Sequence, residues 1–110
     1  MRADLDRIRD ILGAISEIEK YAGLGREALE SNELVRVWMV HYLQLIGEAA
    51  GKLSGEFRQR HSELPWEEII AMRNILVHHY FEVDMDEIWS SIEKDLPVLR
   101  RRVEEILRGA

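Results

Sequence analysis

The sequence predicts an all-α protein, a bundle of four or five helices, and three observations support this. Apolar residues recur three and four positions apart along almost the whole chain, the spacing that places them on one face of an α-helix. The 110 residues include only two prolines and seven glycines, so few positions interrupt a helix. No segment alternates apolar and polar residues as a β-strand does. We expect residues 1–110 to form a single domain.

The first predicted helix runs to Tyr21 or Ala22. Its apolar stripe has six members: Leu5, Ile8, Ile11, Leu12, Ile15 and Ile18. Gly23 and Gly25 favour an end to the helix, because glycine adopts the conformations that terminate helices. A short helical turn is expected over residues 26–29.

A long helix is predicted from Glu33 to Arg58, with Ser31 or Asn32 able to cap its first turn. Between residues 35 and 46 nearly every position is apolar. A helix that is apolar all round must be covered on more than one side, and we expect a second copy of the chain to cover the open side. His41 lies in this stretch, where we expect a hydrogen-bonded interior or interface histidine rather than a ligand.

Residues 59–63 are polar and are predicted to form a loop. Pro65 suits the first position of the next helix, which should continue toward His79. Residues 82–84 are typical of a turn, and Asp84 can cap the last predicted helix. That helix contains Pro97, which should kink or split it because proline has no N–H to donate.

Composition excludes several classes of protein. Without cysteine, the chain can form no disulfide, thiolate nucleophile or cysteine-bound zinc site. The net charge of -6, from 15 basic and 21 acidic residues, opposes a broad nucleic-acid coat but permits a local basic site. No apolar run reaches the ~20 residues that span a bilayer. The charged N-terminal segment does not resemble a signal peptide, so we expect a cytoplasmic protein with no membrane contact.

Two segments resemble sites that we reject. Residues 47–54 superficially resemble a phosphate-binding loop, but the spacing is one residue short and no strand precedes them. Their small residues are expected instead to allow close helix–helix approach. His78, His79, Asp84 and Asp86 lack the i, i+4 histidine pair of a helical metal site, so we expect no metal and no other cofactor.

The densest chemical segment spans residues 73–80. Histidine can move a proton near neutral pH, and arginine presents a planar fork of donors to a phosphate, so Arg73 and His78 suit RNA cleavage. They lie roughly 140° apart on a straight helix. Either the helix ends near His78 or a second copy of the chain completes the site. The apolar stretch over residues 35–46, which also needs a cover, favours the dimer. Equally open is a structural role, in which Arg73 pairs with a carboxylate and His78 caps the helix.

The pattern R-x-x-x-x-H-x-Y, from Arg73 through His78 to Tyr80, resembles the signature of HEPN-domain toxins and most closely the HepT family. Four flanking segments extend the resemblance along the chain: residues 46–50, Pro65-Trp66, residues 79–81 and residues 95–97. The resemblance implies a homodimer with a composite cleft. It further implies a metal-independent ribonuclease toxin, whose antitoxin is an MntA-like minimal nucleotidyltransferase.

The resemblance also assigns residues. Arg73 and His78 would be the catalytic pair, with Asn74 and His79 in support. His79 occupies the variable position of the motif, and the register favours His78 as the acting histidine. Tyr80 would be the tyrosine that the partner enzyme AMPylates to silence the toxin, and it shares a helical azimuth with Arg73.

Two other functions stay open. The chain could be a non-catalytic binding or regulatory subunit of a two-component nucleotidyltransferase, which its acidic balance and apolar central helix suit equally well. It could also be a structural helical dimer whose histidines serve only in packing.

Overall fold

A computed structural model describes residues 2–110, and that range is helical and contains no strand. It contains seven α-helices: α1 (Arg2–Ala22), α2 (Gly25–Ser31), α3 (Glu33–Gly51), α4 (Gly55–Arg60), α5 (Trp66–His78), α6 (Met85–Ser90) and α7 (Leu96–Arg108). A 3-10 turn, Tyr80–Glu82, follows α5, and a π-helical turn, Ser91–Asp95, joins α6 to α7. The four long helices α1, α3, α5 and α7 confirm the predicted all-α class, and short helices supplement them.

The central helix of the fold is α3, which packs against α1 on one side and α5 on the other. The outer side of α1 packs against α7. The apolar stripe predicted for α1 faces this core, and Ile8, Ile11, Ile15 and Ile18 are completely buried. The helix ends at Ala22 as predicted, and the chain reverses through Gly25, whose φ of +84° favours glycine.

Of the two predicted caps for α3, the structure uses Asn32. Its side-chain oxygen accepts hydrogen bonds from the backbone N–H groups of Leu34 and Val35, at 3.0 and 3.3 Å. These two groups belong to the first turn, whose N–H groups have no partner within the helix.

The prediction of one helix from Glu33 to Arg58 is wrong, because α3 ends at Gly51 and α4 begins at Gly55. Ser54 is extended between them, and its backbone N–H and hydroxyl each donate to the buried Asp4 carboxylate at 2.8 Å. The Ser54 hydroxyl in turn accepts from the N–H of Phe57. Because Asp4 takes the N–H that a continuous helix would use, the helix restarts here with Ser54 as its cap.

The loop predicted over residues 59–63 begins two residues later in the structure. Phe57 is buried and holds α4 in the fold, so the helix continues through Arg60 and the turn starts at His61. Pro65 immediately precedes α5 rather than occupying its first position, and α5 ends at His78, one residue before the predicted end.

The predicted cap at Asp84 and break near Pro97 are both confirmed. A side-chain oxygen of Asp84 accepts from the N–H of Asp86 at 2.8 Å, at the start of α6. The π-helical turn lies directly before Leu96 and Pro97. Because proline supplies no N–H to the preceding turn, the hydrogen bonding there shifts to a wider helix.

Apolar side chains of α3 remain exposed in the single chain. Leu34, Val37 and Leu45 are 82%, 55% and 36% exposed. Val37 and Leu45 belong to the stretch over residues 35–46 that a second copy was expected to cover, and that cover stays a prediction. None of the helices described is long and apolar enough to cross a bilayer.

Candidate active site

A close approach between α3 and α5 places Arg73. A Cβ atom built on the buried Gly47 would lie 2.2 Å from Arg73 Cβ and 2.9 Å from Arg73 Cγ. It would also lie 3.1 Å from the backbone oxygen of Ile69. Only glycine therefore allows the two helices to meet at this distance, as predicted for the small residues of this segment. The stem of Arg73 rests directly on the backbone of α3.

The guanidinium of Arg73 has two polar neighbours. Its Nη1 donates to the side-chain oxygen of Asn74 at 3.0 Å, and its Nη2 lies 3.6 Å from Oε1 of Glu48. Its Nε is buried and has no hydrogen-bond partner among the described residues. The carboxylate pairing that sequence analysis left open therefore exists. It is long and partly exposed, so it holds the cation weakly and leaves donors for an anionic ligand.

Asn74 and Glu48 thus hold Arg73 from two sides. The contact with Asn74 agrees with the supporting role expected for that residue, whereas Glu48 was not singled out from the sequence. A carboxylate on α3 has no local relation to an arginine on α5, so only its membership of residues 46–50 could have drawn attention to it.

The helix ends at the predicted catalytic histidine. His78 is the last residue of α5, is exposed, and forms no ion pair with any described residue. His79 follows as the C-cap and is also exposed, with its Nδ1 3.5 Å from Oε2 of Glu82. The two histidines therefore differ, because only His79 lies beside a carboxylate. His78 is the one whose imidazole is left available to a ligand.

One copy of the chain does not join Arg73 to His78. No hydrogen bond connects them within residues 2–110, and the helical rotation between them points them apart. α5 packs mainly against α3, so much of its outer face is uncovered. Ile75 and Val77 are 44% and 40% exposed and lie at the two edges of that face, about 160° apart around the helix. The helix thus has one exposed apolar residue on each side of Asn74 and His78.

Tyr80 is half-buried in the 3-10 turn and lines an open groove of about 740 Å³ between α3 and the segment that follows α5. The groove has ten lining residues: Glu33, Arg36, Val37, Val40, His41, Gln44, Leu76, Tyr80, Val83 and Met85. Of the two positions expected for His41, the interior one is wrong, because its side chain is exposed at this groove and packs edge-on against Tyr42. An interface position stays a prediction.

This groove was not predicted from the sequence. The only signal was the i, i+3, i+4 spacing of its α3 residues, which the surrounding apolar residues obscured. The groove residues of α3 and those after residue 75 come from distant parts of the chain. As for metals, no group of three or more potential ligands is close enough to hold an ion in the described part of the chain.

Comparison with known proteins gives consistent matches. Residues 11–106 match the family model described as ribonuclease HepT-like. A protein of Caldanaerobacter subterraneus subsp. tengcongensis, named as a candidate RNase, is 41% identical over 91 residues, which cover 83% of this chain and 81% of that protein. A Thermococcus cleftensis protein, named as a probable ribonuclease HepT, is 31% identical over 106 residues and 96% of each chain. A candidate RNase of Methanocaldococcus jannaschii is 29% identical over 96 residues, 86% of this chain and 88% of its own. No solved structure matches significantly.

Proposed function

The chain belongs to the HepT-like ribonuclease family, and we propose that it is an endoribonuclease that cuts RNA without a metal ion, using Arg73 and His78. One observation carries the proposal: the family match spans residues 11–106 and so includes the segment that holds this pair. The geometry supports it, because Nη1 and Nη2 of Arg73 each have one partner and a second N–H, and His78 is exposed at the end of α5.

The proposed reaction uses the ribose of the substrate as the nucleophile. His78 accepts the proton of a 2′-hydroxyl, whose oxygen attacks the adjacent phosphorus while the bond from phosphorus to the 5′-oxygen breaks. The departing oxygen takes a proton from water. Arg73 stabilises the negative charge that develops on the phosphoryl oxygens. The products are a 2′,3′-cyclic phosphate and a 5′-hydroxyl, and each step uses only side chains and water.

We further propose that the working cleft contains two copies of the chain. Arg73 and His78 diverge within one copy, and the apolar residues Ile75 and Val77 are exposed beside them. A two-fold pairing through this face would cover those residues and bring two arginines and two histidines into one cleft. In a protein of net charge -6, this would concentrate positive charge where RNA must bind.

We propose that the protein is the toxin of a toxin–antitoxin pair, with an MntA-like nucleotidyltransferase as antitoxin that AMPylates Tyr80. Tyr80 lies two residues after His78 and lines an open groove, which is compatible with an added nucleotide. The adduct would repel RNA by its charge and bulk. Incubation with the partner and ATP should add the mass of one AMP, and the same modification of Tyr80→Phe would contradict the assignment.

RNA cleavage in the presence of a chelator tests the ribonuclease proposal. The wild type should cut RNA to cyclic-phosphate ends, whereas Arg73→Ala and His78→Ala should lose activity and keep the wild-type oligomeric state in light scattering. His79→Ala removes the neighbouring imidazole of the same helix end, and as a change to a supporting residue it should reduce cleavage less than His78→Ala does. Undiminished cleavage by both catalytic variants would refute the site.

The alternative is a non-catalytic subunit of a nucleotidyltransferase. The pairing of Arg73 with Glu48 in the free chain favours this function, because it gives the arginine a structural use. Expression without the partner separates the two functions. A toxin should arrest growth and degrade RNA, whereas a binding subunit should do neither.

A further inference from the structure

The α3 residues of the groove form one stripe of the helix. They occupy positions 33, 36, 37, 40, 41 and 44, which are three or four residues apart and so share a face. The next positions of the same stripe are Gly47 and Glu48, the two residues that contact Arg73. The groove and the candidate active site therefore lie end to end along one face of α3. From Arg36 to Gly47 the distance is about 16 Å along the helix axis.

A contact in the middle of this stripe joins its two parts. Nε2 of Gln44 donates to the backbone oxygen of Leu76 at 3.4 Å. Leu76 lies three residues after Arg73 and two before His78, so Gln44 marks the point where the groove reaches the catalytic helix. A chain-like ligand lying in the groove would pass from there toward Arg73, which contacts Gly47 and Glu48 at the end of the same stripe.

The lining of the groove combines an apolar surface with donors at its edge. Val40, Leu76, Val83 and Met85 provide the apolar surface, and Tyr80 provides an aromatic ring. Arg36, His41 and Gln44 provide the donors. Nη1 of Arg36 donates to the backbone oxygens of Leu29 and Glu30, at 3.3 and 2.9 Å, which ties the guanidinium to the end of α2. Its other nitrogens are not used in these bonds.

This combination differs from that of a second, smaller cavity. A cavity of about 350 Å³ between α3, α5 and α7 has apolar walls, but its charged residues are the carboxylates Glu68 and Asp95. That cavity does not suit a phosphate. The groove beside Tyr80 has one carboxylate, Glu33, and it lies at the far end from Arg73.

We propose that the groove is a binding subsite for the RNA nucleotides that flank the bond to be cut. Arg36 and His41 would contact phosphates, and a base would pack against the ring of Tyr80 and the apolar surface around it. Arg36 is the one fixed cation of the lining and is offset by Glu33 one turn away, so the hydrogen-bond donors of Arg36, His41 and Gln44, rather than net charge, would hold the phosphates. Stacking on an aromatic ring tolerates any base. The inference rests on the proposed ribonuclease function and adds where the substrate lies.

RNA binding is measured in the inactive His78→Ala background, with a fluorescent single-stranded RNA and fluorescence anisotropy at several salt concentrations. His41→Ala and Arg36→Gln should each weaken binding roughly tenfold. Arg36→Gln should also reduce the salt dependence by roughly one phosphate contact. Arg101→Ala is the matched control, because Arg101 is an exposed arginine of α7 outside the groove.

Cleavage by the active protein separates this inference from the proposed function. On a long RNA, His41→Ala should raise KM and leave kcat unchanged, and on a dinucleotide it should change neither. Unchanged affinity and salt dependence in both groove variants would overturn the subsite while cleavage by the wild type upheld the ribonuclease. Persistent cleavage by Arg73→Ala and His78→Ala would overturn the catalytic assignment whatever the groove variants did.

Discussion

Replacing Gly47 by alanine places a methyl group where α3 and α5 touch. The new Cβ would lie 2.2 Å from Arg73 Cβ, whereas carbon atoms pack at about 3.5–4.0 Å. The backbones must therefore separate by roughly 1.5 Å at this point. Rotation of the arginine side chain gives no relief, because Arg73 Cβ is held by the backbone and the oxygen of Ile69 is only 3.1 Å away.

Two opposing effects set the change in stability. Alanine is favoured over glycine in a helix interior by about 1 kcal/mol. Overpacking a core contact costs about 1–3 kcal/mol, and a contact this short belongs at the upper end of that range. The expected net loss is about 2 kcal/mol, which lowers Tm by roughly 8–16 °C in a domain of this size.

The effect on RNA cleavage should be larger than the effect on stability. A displacement of about 1 Å in a catalytic group can reduce the rate by about 100-fold. Circular dichroism gives the Tm, and cleavage is assayed well below it so that both proteins are folded. Gly13→Ala on α1 is the matched control, because nothing lies within 4 Å of its added Cβ, and it should raise stability by about 1 kcal/mol. A Gly47→Ala protein as stable and as active as the wild type would refute the reasoning.

Three further outcomes are expected. Asp4→Ala should lower the free energy of unfolding by about 1–3 kcal/mol, because it leaves the N–H of Ser54 unpaired. The hydrogen bond from the Ser54 backbone lowers the pKa of Asp4 below its ordinary value of 3.8, so this stability is present above that pH and lost as the pH falls through the lowered pKa. The free energy of unfolding, measured in urea at several acidic pH values, should therefore fall less steeply with decreasing pH for Asp4→Asn than for the wild type. Trp38→Phe should cost about 1 kcal/mol in urea unfolding, because Nε1 of Trp38 donates to the oxygen of Glu17 at 2.8 Å, and no loss would contradict that role. Glu48→Gln should change stability by under about 1 kcal/mol and lower KM for RNA, because the carboxylate no longer competes with phosphate for Arg73; a raised KM would show instead that Glu48 holds the arginine in place.

The parts of the fold that sequence predicted well depend on local signals. The stripe of α1, the cap at Asn32 and the cap at Asp84 each follow from residues within a few positions of one another. Pro97 likewise acts on its own preceding turn. Such signals give the class of the fold and most ends of its helices.

The break between α3 and α4 could not be predicted in this way. Its cause is Asp4, which lies 50 residues from Ser54 in the sequence. Gly51 and Gly55 flank Ser54, as Gly23 and Gly25 follow α1, but the apolar periodicity continues through them and the bond to Asp4 is what fixes the break. The wrong prediction of one long helix therefore reflects a tertiary contact that overrides local periodicity.

The features of the candidate site likewise divide into those given by local sequence and those that depend on helix packing. Arg73, Asn74, His78 and Tyr80 came from one short motif, and the structure joins Arg73 to Asn74 by a hydrogen bond, while the roles of these residues stay predictions. The pairing of Arg73 with Glu48 and the exposure of His41 at a groove depend on how α3 and α5 pack. These features required the three-dimensional structure, since helical spacing alone does not tell which helix faces which.

The bond between Asp4 and Ser54 also bears on how the protein is made. It joins the two ends of the segment that contains α1, α2 and α3, and α1 and α3 pack against each other within this segment. Since a nascent chain leaves the ribosome N-terminus first, this segment can fold before α5 has emerged. The helix that bears Arg73 and His78 is then laid onto an existing surface, with the gap at Gly47 already shaped to receive it. On this order of assembly, Arg73 and His78 take their positions only after the surface that receives them has formed.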